Sequence, residues 1–418
     1  MYDYEVISAD SHIEASPDCW TERLPAALRE QAPRVVEMGD GGQGCAIGDE
    51  VIPLGLTITG GLTYDQFRQK GLRYDDNPPG TGDPAQRLGE QDRDGVDAEV
   101  LFSTVIATML TKMTDPELIS ACIRAYNDWV SDFCSYDPAR LFGIALMPFN
   151  GVRPAIDELE RVARKPGIRG VHLLKFPTGG SYLDAADDDF WSAANDVGMA
   201  IIAHHNFGGD DTARSHPMAG MKEKALAIAG GADLAMFAWL LTCDLPMPTL
   251  PILTLEQLFL SGVLDRFPKL RFHFAETGIG WLAYWLEQME DRFDRHRFWA
   301  GVELPRRPLQ YFRDHFTFSF QEDHAGVALR HAIGIDNICW ANDFPHSVSD
   351  WPWSRDVRAR QFAGVPEVDV RKMQALNIAA QLGVISPAEK ESISRRPLKN
   401  PLEAHPPRRG ARRVPVGA

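Results

Sequence analysis

Cysteine is sparse in this chain of 418 residues: six occur, at 19, 45, 122, 134, 243 and 339, and no two stand in a CxxC pair. A chain of this length buries enough surface to fold without disulfides, so the thiols read as buried side chains, not as a zinc finger or a disulfide framework. Long apolar runs are missing too. The stretch 234–241 (LAMFAWLL) falls well short of the ~18 residues that cross a bilayer, and MYDYEVISAD has neither the basic start nor the apolar core of a signal peptide. A cytoplasmic protein without a membrane partner is expected. No GxGxxG opens a helix after a strand, and there is no P-loop, no GxSxG elbow and no HExxH. These absences argue against nicotinamide, nucleotide, serine-esterase and zincin chemistry.

Charge is plentiful but uneven. The formal net charge is −15, yet residues 393–418 carry seven Arg or Lys against Glu403, which leaves −21 for the rest. Such a body repels phosphate backbones, so no nucleic-acid partner is expected. The stretch 386–418, rich in proline and arginine and without apolar periodicity, is expected to be a disordered basic tail.

What the sequence does have is an alternation. Eight short β-branched or apolar runs are separated mostly by segments of helical period: Glu5–Ala9, Ala98–Phe102, Leu141–Met147, Arg169–Leu174, Met199–Ala203, Leu270–Ala275, His315–Phe320 and Asn337–Ala341. Eight βα units predict an α/β fold, a (β/α)8 TIM barrel over residues 1–385. Pro154, Ile156, Leu159 and Val162 mark one of its helices, and the aromatic stripe 280–299 reads as packing against the barrel wall. Two connections are long, about 15–95 and 206–251, and read as cap insertions after strands one and five. The glycines of 39–55 (GDGGQGCAIGDEVIPLG) precede no helix and suit the turns of a small hairpin.

In such a barrel the chemistry sits where strands end. Asp10, His12 and Glu14 follow the first run, Lys175 the fourth, His204 and His205 the fifth, Glu276 the sixth, Glu322 and Asp323 the seventh, and Asp343 and His346 the eighth. Asp10 and His12 are two apart, so on an extended chain both can reach one ion. Imidazole and carboxylate suit Zn, Mn or Fe, as one or two divalent ions. Alternation assigns His204 to the site and His205 to the opposite face, where it reads as a core histidine. By the same parity Glu276 joins Phe272 and Phe274 in an inward set, and His273 becomes a wall residue. Asp343 can bind metal and move a proton; His346 could orient it or touch substrate. Lys175 is either an exposed lysine or a partner for a substrate carboxylate.

The stretches VISADSHIE (6–14), GMAIIAHH (198–205), LRFHFAETGIGWLAYWLE (270–287) and ICWANDFPHSVSDWPWS (338–354) resemble the amidohydrolase 2 group of metal-dependent barrels. These are the relatives of aminocarboxymuconate-semialdehyde decarboxylase, and the likeness runs over about 4–385. The resemblance implies that Asp10 and His12 stand at the first-strand ligands, with Asp in place of the first His, and that His204 is the fifth-strand ligand. It implies that Glu276 occupies the place of a catalytic His, and that Asp343 is the eighth-strand Asp. The metal set is therefore Asp10, His12, His204, Glu276 and Asp343, with Asp343, Glu276 and His346 catalytic and Lys175 binding substrate.

The activity this implies is hydrolysis, or decarboxylation and related C–C lyase chemistry, on a small hydrophobic or aromatic carboxylated or acyl substrate. The carboxylate-rich set also resembles a variant branch that includes a nonheme diiron monooxygenase in terpenoid antibiotic biosynthesis, which keeps an oxygenase open. A barrel that has lost its chemistry and serves as a scaffold is the third reading. A homodimer is compatible with all three.

Overall fold

A computed structural model describes residues 3–103, 105–205, 207, 249–400 and 402. The chain opens with β1 (Ile7–His12), then a small antiparallel sheet of β2 (Arg34–Glu37), β3 (Gln43–Ile47) and β4 (Glu50–Pro53). The remaining strands are β5 (Ala98–Phe102), β6 (Leu141–Met147), β7 (Ile168–Leu173), β8 (Ala200–His204), β9 (Phe272–Ala275), β10 (Phe316–Phe320) and β11 (Ile338–Trp340). β1 and β5 to β11 pair side by side, all parallel, in chain order. The ends of this sheet meet: Asp343 N donates to Asp10 O (2.9 Å), and His12 N to Phe344 O (2.7 Å). A (β/α)8 barrel results, as the alternation of runs predicts.

Parity within the strands divides the core in two. Ile7, Ala9, Val100, Phe142, Ile202 and Cys339 belong to the cluster inside the barrel. Ile201, Phe272, Phe274, Phe316, Phe318 and Trp340 belong to a second cluster, shared with the surrounding helices. Phe274 stacks on Phe318 with centroids 5.1 Å apart, and Phe272 meets Trp191 of the helix Asp188–Val197. Two of the helices begin in the same way. Asp83 and Asp115 cap Pro84–Asp94 and Pro116–Cys134, their carboxylates accepting from the second and third helical N–H groups behind a proline that has none to offer.

All eight expected runs are strands, and the first runs three residues further than expected, to His12. The hairpin within 39–55 is β3–β4, turning at Gly48 with φ +54, and it gains β2 as a third strand. The helix Gly280–Ala300 packs Leu282, Leu286 and Trp285 inward as expected, whereas Tyr284, Phe298 and Trp299 are exposed. The second insertion, 206–251, lies almost wholly outside the described residues.

A helix occupies Pro387–Ser394, inside the stretch expected to be disordered, and Ser386 and Glu389 form its capping box. Beyond it, the backbone N–H groups of Lys399 and Asn400 donate to the Glu5 carboxylate. Local composition hides both contacts because they are made with the other end of the chain. Among the described residues no helix is long and apolar enough to cross a membrane.

Candidate metal centre

Asp10 and His12 are on β1 itself, and a bulge aims them. Ser8 pairs with Glu99 and Ser11 with Leu101, so β1 carries one extra residue against β5. Ser11 then turns toward the Asn342 side chain (2.8 Å), away from the mouth, while Asp10 and His12 enter it. Behind them Arg87 donates to Glu99 (2.6 Å) and to the carbonyl of His12 (2.9 Å), all buried. Asn342 N in turn donates to Ser8 Oγ (2.9 Å). This polar network holds the end of β1 against the segment that follows β11.

Three residues at the mouth have left-handed backbone: His205 (φ +66), Glu276 (φ +53) and Asp343 (φ +49), the only non-glycine residues with positive φ among those described. Side chains avoid this region, and its occupation at one rim by three acid and imidazole residues points to function. It also corrects two sequence expectations. Phe272 and Phe274 face the helices, and His273 faces the barrel interior, bonded to Thr317 (2.9 Å). Glu276 therefore reaches the site because the chain turns at it, not because it shares their parity. His205 does not face away: its Nε2 stands 3.1 Å from Glu276 Oε2. Strand alternation ends where φ changes sign.

The side chains converge. His12 Nε2 lies 2.9 Å from Asp343 Oδ1, 3.3 Å from Asp10 Oδ1 and 3.4 Å from His204 Nε2, and His204 Nε2 is 3.6 Å from Asp10 Oδ1. His204 Nε2 is also 3.7 Å from Glu276 Oε2. His346 stacks on His12 at 3.7 Å, with Nδ1 3.4 Å from Asp343 and Nε2 3.3 Å from Glu14. Asp10, His12, His204, Glu276, Asp343 and His346 are thus together. Lys175 stands 5.7 Å from the centre of the Phe149 ring.

Burial sharpens the electrostatics. It favours a neutral Asp10, yet His204 and His12 beside it hold the carboxyl far below its usual range. Burial likewise opposes charge on His205 and His346, but Glu276 raises the first, and Asp343 with Glu14 raises the second well above an ordinary imidazole. Among the described residues, the cationic partners of Asp10, Glu14, Glu276 and Asp343 are imidazoles. Moreover, both oxygens of Asp10 and of Asp343 are withdrawn from water, with imidazole nitrogens as the charged groups set against them.

A divalent cation fits that need. Donors bound at ~2.0–2.2 Å stand about 3–3.5 Å apart around one ion. The separations of His12 from Asp343, Asp10 and His204, and of His204 from Asp10, 2.9 to 3.6 Å, match this closely.

Sequence reasoning passed over His172 on β7. Its ring is buried, with its centroid 6.2 Å from that of His204 and its Nδ1 without a hydrogen-bond partner among the described residues. Burial, with His204 adding to it, keeps its pKa down at about 3 and the ring neutral. An apolar run with histidine at an inward parity was the available signal.

Comparison with known proteins bears on the fold and the family. The decarboxylase orsB of Emericella nidulans is 24% identical over 277 residues, covering 64% of this chain and 77% of its own. A gamma-resorcylate decarboxylase of a Rhizobium species is 23% identical over 284 residues, covering 63% and 79%. Among solved structures, an amidohydrolase from Mycobacterium avium subsp. paratuberculosis superposes with a TM-score of 0.68 at 20% identity, over 92% of this chain and all of its own. A dihydroxybenzoic acid decarboxylase from Polaromonas, with bound manganese and 2-nitroresorcinol, gives 0.60 at 16%, over 91% and 97%. The amidohydrolase family model matches residues 10–384, from the first acid of the centre past the last, and the chain belongs to that family of metal-dependent enzymes.

Proposed function

We propose that this enzyme removes carbon dioxide from a small aromatic carboxylate without oxidation, using a divalent ion held by Asp10, His12, His204 and Asp343. The observation that carries this reading is the pair of buried carboxylates, Asp10 and Asp343, faced at 2.9 to 3.6 Å by the imidazole nitrogens of His12, His204 and His346. The names of the curated relatives, decarboxylases of resorcylate type, support the choice of reaction and of an aromatic acid. The manganese in the Polaromonas structure supports Mn as the ion, with Zn and Fe as the other candidates.

When bound, the ion supplies positive charge to a substrate carboxylate and its neighbouring oxygen. The chain supplies the proton. Asp343 in its acid form gives a proton to the ring carbon that bears the carboxylate, forming a C–H bond. The C–C bond then breaks, its electron pair restores the aromatic ring, and carbon dioxide leaves. His346, with Nδ1 3.4 Å from Asp343, returns a proton to it, and Glu14 on the far side of the imidazole favours the charged form that can do so. His172, neutral and buried, supplies part of the wall. Lys175 is the proposed partner of a second anionic group on the substrate.

The test is carbon dioxide release from dihydroxybenzoates by protein loaded with manganese. Asp343→Asn is expected to lose ~10²–10⁴-fold in kcat, the usual contribution of a proton-transferring group, while still binding the ion through its amide oxygen. A variant with undiminished turnover would overturn the proton role.

A further inference from the structure

We propose that the end of the barrel where the strands begin, opposite the metal centre, holds a small oxyanion, a carboxylate or phosphate group, between Arg355 and Arg358. The inference goes beyond the proposed reaction and does not depend on it.

Three arginines are buried among the described residues: Arg87, Arg358 and Arg371, each at most 2% exposed. Two of them have a carboxylate. Arg87 lies 2.6 Å from Glu99, and Arg371 3.4 Å from Glu5. Arg358 has no such ion pair among the described residues. Its Nη1 donates to Gln374 Oε1 (3.1 Å) and its Nη2 to Gly95 O (3.3 Å), both neutral acceptors, while its Nε, withdrawn from water, has no hydrogen-bond partner. Two of the five N–H donors of this guanidinium are therefore used. The Trp340 ring, with its centroid 5.0 Å from the guanidinium carbon, covers one face. A buried cation left in this state is costly, and an anion at the open donors removes the cost.

There is room for one. Arg358 lines a cavity of about 180 Å³, far more than a single water needs, together with Arg355, Gly95 and Asn400. Val6 and Asp97, which precede β1 and β5, line it as well, so it lies at the strand starts and not at the mouth. Arg355 is exposed and, among the described residues, takes part in no ion pair or hydrogen bond. Gly95 stands between the two guanidinium groups: its carbonyl accepts from Arg358, and a Cβ on it would come 3.3 Å from Arg355 Nη2.

Three carboxylates share the cavity, and each is already engaged. Glu5 accepts from the backbone N–H groups of Lys399 and Asn400 and faces Arg371. Asp97 accepts from the N–H groups of Glu5 (2.7 Å) and Val6 (2.9 Å), and Asp92 pairs with Arg140 at 2.7 Å. Asp94, next to Gly95, is turned to Ser354 (2.6 Å) and Asn342 (3.2 Å). The charge left over is that of two guanidinium forks, which suit the paired oxygens of a carboxylate or phosphate.

The experiment titrates the full-length protein as purified with sodium phosphate and with sodium acetate, against sodium chloride at equal ionic strength, in an isothermal calorimeter. One saturable site is expected for at least one of the two anions, and the tighter of them tells whether the natural ligand carries phosphate or carboxylate. Arg355→Gln, at an exposed position, is expected to weaken that binding by about tenfold, the effect of one lost charge-assisted contact, without changing turnover. Arg358→Met is expected to abolish it. Binding undiminished in Arg355→Gln would move the anion to another part of the molecule and overturn the site. Heats equal to those of chloride in the wild type would overturn it as well.

Discussion

Asp350, half-buried beyond the eighth strand, accepts a hydrogen bond from Tyr64 of the first insertion (3.3 Å). Burial pushes its pKa up to about 6 from an ordinary 3.8, against the lowering pull of Tyr64 and Arg360. The folded state therefore binds this proton more tightly than the unfolded state does. The resulting stability is complete below the unfolded pKa and is lost as pH rises through about 6. Asp350→Asn is expected to melt higher than wild type at pH 8, with the gap closing toward pH 4; a gap independent of pH would refute the assignment. The same scale explains what the sequence hid. His205 and Glu276 obey no strand parity because each sits at a φ of the opposite sign, and nothing in a two-residue pattern announces that turn.

At the scale of elements, β1 is the strand that matters. Its length, its bulge and its grip on the segment after β11 set where Asp10, His12 and Asp343 stand. Arg87 and Glu99 are at the base of that grip, 2.6 Å apart and withdrawn from water. Removing one partner of such a pair strands the other's charge, at a cost of about 3–5 kcal/mol. Arg87→Met is expected to lose that much in urea unfolding and to bind metal more weakly, since the carbonyl of His12 loses its donor as well. Full stability would mean that Glu99 finds compensation elsewhere. The strands themselves were legible because apolar runs of five to seven residues between helical stretches have few other uses in a chain of this length. The bulge was not, because an extra residue is defined only against the neighbouring strand.

For the whole molecule, the ion and the fold are coupled. The proposed ligands, gathered from β1, β8 and the chain after β11, cannot be assembled in the unfolded chain, so bound metal stabilises only the native state. A metal at 100 times its dissociation constant contributes about 2.7 kcal/mol. Chelation is therefore expected to lower Tm by a few degrees, with recovery on adding manganese, as read by differential scanning calorimetry. An unchanged Tm would remove the ion from the account of stability.

The sequence by itself determined the barrel, the order of its strands and the residue types at their ends, because strand period, strand count and the chemistry of His, Asp and Glu are local properties. It identified Asp10, His12, His204, Glu276, Asp343 and His346 as candidates. Tertiary structure decided which atoms face one another. It drew in Glu14, His172 and His205, reversed the assumed facing of Phe272 and Phe274, and carried the ordered chain past Ser386 to its contact with Glu5. Each of these depends on a partner distant in sequence, or on a backbone angle fixed by such partners, and neither leaves a periodic trace along the chain.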